Sequence, residues 1–154
     1  MERIPPGQEG KITVKFSTGG YGGKEVKEVV KIRTNDLTKP GLSVVVKGFV
    51  ENFAEISPVR ARLMGKAGEP VSTQITITPR IGYPFTITNT RTQPDSMDYT
   101  YRLDKQKQDD QIIYVLSITN TKKEPGMYTG RVILETDSAV KPRIIINVMG
   151  MISP

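Results

Sequence analysis

The chain has no cysteine and no histidine. The first absence excludes disulfides, thiol nucleophiles and thiolate metal sites from this stretch. The second removes the commonest general base and the commonest metal ligand. No apolar run reaches the roughly 18 residues that a membrane-crossing helix needs, so no membrane insertion is expected. The opening Met1-Glu-Arg-Ile-Pro-Pro-Gly7 lacks the apolar core of a signal peptide. No segment spaces its apolar residues with a helical period.

What is present is an ordinary core-forming composition. Of 154 residues 36% are hydrophobic, and the mean hydropathy is −0.33. The net charge of +6 divides evenly. Residues 1–52 hold 9 basic and 6 acidic groups, and residues 53–154 hold 13 and 10, so each part carries +3. A nucleic-acid binder concentrates its basic residues on one face with aromatics between them. Charge spread in this way reads as a solvated surface, and no nucleic-acid partner is expected.

The chain is organised around a repeat. Lys39-Pro-Gly-Leu-Ser-Val-Val-Val-Lys-Gly48 returns as Lys141-Pro-Arg-Ile-Ile-Ile-Asn-Val-Met-Gly150, an offset of 102 residues. That is too long for a solenoid turn and is the length of one small β-sandwich. Before the first copy, Ile12, Val14 and Phe16 alternate with polar residues, which predicts a strand. A glycine-rich turn at residues 19–23 follows, then strands over 26–34 and 42–50, joined by an Asn35-Asp36 turn with a proline exit at Pro40. The second copy repeats this order. Tyr114, Leu116 and Ile118 stand where Ile12, Val14 and Phe16 do, Val132 and Leu134 match Val30 and Ile32, and Thr136-Asp-Ser138 matches Thr34-Asn-Asp36. Tyr128 matches Tyr21 only with a local shift.

The second copy also has a front half that the first lacks. Strands are predicted over 53–59, 71–77, 85–87 and 99–103, with polar loops at 90–96 and 104–110. With the closing three, residues 53–154 carry about seven strands, the pattern of an immunoglobulin-like sandwich. The expected architecture is all-β: a three-stranded antiparallel meander, the closing half of one domain over 1–52, then a complete domain over 53–154. Val50-Glu-Asn-Phe53 has no Gly, Pro or Ser and predicts a stiff joint. Val132, Leu134, Ile144, Ile146, Val148, Ile75, Ile77, Leu116 and Ile118 are the predicted core.

At the closing strands the pattern becomes specific: Pro6-Gly, Ile12-Thr-Val-Lys-Phe16, Tyr21-x-Gly23, Ile32-x-Thr-Asn-Asp36, Lys39-Pro40 and Val46-Lys-Gly48. Residues 8–50 resemble the C-terminal half of bacterial Ig-like domains of unknown function related to the ASH (Hydin-type) domains. Residues 53–154 resemble the domain that often follows, through Ile56-Ser-Pro58, Tyr83-Pro-Phe85 and Pro125-Gly-x-Tyr128-x-Gly130. The front half of that family's first domain often carries a Cys-Gly-Cys-Thr segment, which this chain does not contain. The resemblance implies fold, an extracytoplasmic setting for a larger parent protein, and, by analogy with its eukaryotic relatives, a binding role.

Each candidate site has a structural competitor. Tyr128 and Tyr21, each two residues before a glycine, are expected to tuck beneath a strand corner with the hydroxyl on the backbone. Asp95, Asp98, Asp104, Asp109 and Asp110 could bind Ca²⁺, but the spaced Asp-x-Asp-x-Asp-Gly pattern is missing and Lys105 and Lys107 lie among them, so no metal site is expected. Paired carboxylates for glycoside hydrolysis lack an apolar pocket for one acid. No motif presents a Ser-Lys nucleophile pair, and the turn at 19–23 joins strands and does not open a helix, so it holds no phosphate. Tyr99, Tyr101 and Tyr114 could stack on sugar rings, yet their alternation fits strand packing better. The expected function is a non-catalytic structural or protein-interaction module without cofactor. A weak homodimer through residues 8–50 is expected, and a carbohydrate-binding module is the alternative.

Overall fold

The computed structural model describes residues 4, 5, 7–95 and 98–154. All its regular elements are strands: β1 (Lys24–Arg33), β2 (Gly41–Val50), β3 (Ala54–Ser57), β4 (Ala61–Lys66), β5 (Ser72–Pro79), β6 (Ile87–Gln93), β7 (Tyr99–Gln108), β8 (Gln111–Asn120), β9 (Gly126–Thr136) and β10 (Arg143–Ser153). The chain divides into two compact units, Met1–Glu51 and Asn52–Pro154.

The second unit is a sandwich of two four-stranded sheets, ordered β4-β10-β9-β6 and β3-β5-β8-β7. In immunoglobulin lettering the second sheet is A-B-E-D, and β10, β9 and β6 are G, F and C. β4 lies parallel beside β10, pairing Val148–Ser153 with Ala61–Lys66. The remaining pairings are antiparallel. The chain changes sheets between β3 and β4, where the Ser57–Pro58 peptide is cis. Alternating side chains from both sheets meet in one core. All nine predicted core residues lie in it, none more than 3% exposed.

Eight strands stand where about seven were expected, and three differences have one cause. β4 was not expected as a strand. β6 runs through Thr90–Gln93 and β7 through Asp104–Gln108, both expected as loops. These are edge strands, flanked on one side only. Polar residues on both faces erase the alternation, while ladder hydrogen bonds to β9 and β8 still fix the backbone. Charged edge strands also resist pairing with other chains. What remains of the expected 104–110 loop is a two-residue turn, Asp109-Asp110, both with positive φ, closing Gln108 against Gln111. Ser96, in the expected 90–96 loop, lies outside the described residues.

The first unit departs from the expected three-stranded meander. It contains β1 and β2 alone, an antiparallel hairpin from Lys24↔Val50 to Arg33↔Gly41. Ile12, Val14 and Phe16 lie outside any strand. Their counterparts in β8 are flanked by β5 and β7. The described part of the first unit offers no such neighbour, and an alternating segment without a ladder partner is not a strand. Residues 4, 5 and 7–10 carry no regular element, in keeping with the expected loop. Residues 1–3 and 6 of that loop are not described.

The repeat holds at the level of hydrogen bonds. β1 pairs Val30 with Val44 and Arg33 with Gly41, and β9 pairs Val132 with Ile146 and Glu135 with Arg143. In one turn Thr34 Oγ1 donates to the Lys39 carbonyl at 2.6 Å, and in the other Thr136 Oγ1 donates to the Lys141 carbonyl at 2.6 Å. The Asp36 and Ser138 amides each donate to that threonine oxygen at 3.2 Å. The same turn chemistry, satisfied twice, sets the same register. It also corrects one correspondence: Val26 faces Gly48 as Tyr128 faces Gly150, so Val26, not Tyr21, is the counterpart of Tyr128.

Candidate interaction face

A hairpin has two faces, and in β1–β2 one is mostly aliphatic. Val26, Val30 and Ile32 from β1 lie on the same side as Leu42, Val44 and Val46 from β2. In the second unit the matching residues, including Val132, Leu134, Ile144, Ile146 and Val148, are the core surface of their sheet. In the first unit Leu42, Val44 and Val46 are 46%, 46% and 38% exposed. Glu28 is the charged residue on this side, opposite Val46. The other side alternates Lys27, Lys31 and Lys47 with Val29, Val45 and Phe49.

Across the aliphatic face runs a shallow groove of about 210 Å³, lined by Phe16, Val26, Val46 and Val50 among others. Phe16 thus contacts the hairpin with its own segment unpaired. Its ring lies 5.9 Å from that of Tyr21. The groove is smaller than the roughly 300–1,000 Å³ of small-molecule sites and is lined mostly by apolar groups. It suits a side chain inserted by another polypeptide better than a substrate.

The tyrosines go elsewhere. Tyr128 packs its ring against Gly150 and donates its hydroxyl to Asn120 Oδ1 at 2.8 Å, so it bonds a side chain, not the expected backbone group. Burial, the Asp98 carboxylate and Tyr99 push its phenol up to about 12. Tyr99 lies against Gly130, donates to the Arg131 carbonyl at 3.3 Å and stacks on Tyr128 at 6.0 Å. Its phenol is raised by burial, opposed by that hydrogen bond. Tyr114 is buried in a stack with Phe85 and Phe53 and donates to the Phe85 carbonyl. Of the three rings considered for sugar stacking, Tyr101 alone reaches the surface, and its hydroxyl is held by the Thr90 carbonyl at 2.7 Å. Tyr21 is exposed.

The aspartates do not converge. Asp104 pairs with Arg102 at 2.9 Å, Asp110 with Lys107 at 2.6 Å and Asp98 with Lys122 at 3.6 Å. Asp95 accepts from Thr92 Oγ1 at 3.5 Å. Among the described residues no three carboxylates gather at one point. Glu135, which accepts from Asn89 and Arg91, is held below the usual carboxylate range by those bonds. The sequence reading had recognised the bare face of the first unit, but not Asn120, Gly130 or Gly150 as packing partners of the tyrosines. Only the tyrosine–glycine spacing hinted at them.

No family model matches the chain, and no curated protein matches it. Solved structures do. One is described as a protein of unknown function from Porphyromonas gingivalis W83, 16% identical, with a TM-score of 0.51. The match covers 86% of this chain and 67% of that one. At this identity the likeness extends to the fold alone.

Proposed function

We propose that the chain is a non-catalytic interaction module, a finished sandwich joined to a hairpin that binds another protein through its aliphatic face. One observation carries this reading: the surface that is core in the second unit stands exposed, in the same register, in the first. Exposed contiguous apolar surface on a β-sheet marks a contact site. The paired aspartates and the hydrogen-bonded tyrosines favour structural roles for those groups. The resemblance to Hydin-type Ig-like domains, and the bacterial source of the similar structure, support a place within a larger bacterial protein and an extracytoplasmic setting. Carbohydrate binding has less support, because Tyr99 and Tyr114 are buried.

The test compares the full chain with its Val44→Asp/Val46→Asp variant as bait on fractionated bacterial envelopes, beside a glycan array. A partner identified from the wild-type bait, bound again in purified form and lost with the variant, is the expected result. Saturable glycan binding, abolished by Tyr101→Ala, would replace this reading with the carbohydrate one.

A further inference from the structure

The second unit shows, 102 residues on, what covers such a face. There β8 lies over the β9–β10 hairpin with Leu116 and Ile118 in the core. β5 pairs with β8 along one edge, placing Ile77 opposite Tyr114, Ile75 opposite Leu116 and Thr73 opposite Ile118. In the first unit Ile12, Val14 and Phe16 stand at the positions of Tyr114, Leu116 and Ile118. Phe16 already lines the groove over β1–β2. The hairpin and the segment that should lie on it are both present, while among the described residues the strand that would pair with that segment is missing.

Deepening the interaction-module reading and resting on it, we infer that residues 12–16 accept a β-strand from a protein partner, antiparallel and with branched aliphatic residues at every second position. The incoming strand takes the place that β5 holds beside β8. Its aliphatic residues fall opposite Ile12 and Val14 and extend the cover over Val44 and Val46. Pairing converts residues 12–16 into a strand, since only a ladder partner is lacking.

A second copy of the chain fits less well. Ten residues at about 3.4 Å by two strands at about 4.8 Å give a hairpin face of roughly 330 Å². A stable interface takes about 800 Å² from each partner, so two such faces pressed together fall short. The strand of this chain with the right pattern, β5, is held between β3 and β8 and is not free to leave. An added strand supplies what the face alone cannot, a row of backbone hydrogen bonds. Lys11 and Lys15 flank the site and disfavour a basic strand.

The probe is a synthetic peptide with the sequence of residues 72–79, Ser-Thr-Gln-Ile-Thr-Ile-Thr-Pro, added to the full chain. Amide exchange is read residue by residue. The expected result is saturable slowing of exchange across residues 12–16. It should be absent with a peptide whose two isoleucines are aspartates, and at least tenfold weaker with the Val14→Asp chain. Any of four results overturns the inference: no slowing at millimolar peptide; equal slowing with the aspartate peptide; slowing confined to β2, which is edge pairing; or residues 12–16 already protected without peptide, by a second copy seen in light scattering or by the second unit. The first three leave the interaction-module reading intact. That reading falls separately, if Val44→Asp/Val46→Asp retains every partner.

Discussion

Two glycines at equivalent positions give the sharpest contrast between single residues. A methyl group added at Gly150 would collide with the ring of Tyr128, whereas one added at Gly48 meets nothing. Gly150→Ala should therefore cost about 1–3 kcal/mol through overpacking. Gly48→Ala should be neutral or slightly stabilising, because alanine in a strand avoids the entropy cost of glycine. Chemical denaturation of both variants checks this, and equal losses would contradict it. Leu116→Ala, in the centre of the core, should lose about 2–5 kcal/mol by the same assay. Tyr128 adds a pH dependence. Burial favours its neutral form and raises its pKa from 10.0 to about 12. The resulting stabilisation is complete below about pH 10 and is lost as pH rises toward 12. Absorbance at the tyrosinate band should show a late step that Tyr128→Phe removes; a single step near pH 10 in the native protein would contradict the burial.

At the scale of elements, each hairpin turn is held by one threonine hydroxyl on the carbonyl five residues on. Thr136→Val removes that bond while keeping the branched shape, and should cost about 1 kcal/mol. Thr34→Val should leave the midpoint of the main unfolding transition unchanged, since its hairpin packs no core of its own. A matched loss at both sites would mean that the two hairpins unfold together. These turns were legible in the sequence because Thr-x-Asp/Ser followed by Lys-Pro is local chemistry that needs no tertiary context. The central strands were legible for a related reason: β5, β8, β9 and β10 bury aliphatic residues at every second position. β4, β6 and the far half of β7 were not. Arg62, Arg91, Lys105 and Lys107 occupy edge strands whose identity comes from backbone pairing, which leaves no mark in side-chain pattern. The reverse error occurred at Ile12–Phe16, where the pattern was right and the ladder partner was absent. The bare face of the first unit was legible as a missing front half, whereas the tyrosine packing depended on contacts across strands far apart in sequence.

At the scale of the molecule, one fold principle appears finished in the second unit and begun in the first. A sheet with an aliphatic face must bury it against a second layer. Residues 53–154 contain both layers and should unfold cooperatively by themselves. Residues 8–50 contain two strands, and a lone hairpin is marginal in water. The measurement that bears most directly on this contrast is native-state amide exchange at equivalent positions of the full chain, held at a concentration where light scattering shows monomer. Val132 and Ile146 should exchange only through global unfolding of the sandwich. Val30 and Val44, the same residues of the same hairpin 102 positions earlier, should exchange at least a hundredfold faster. Equal protection at the two sets, in a monomer, would mean that the first hairpin is already covered and that its face is not a binding surface.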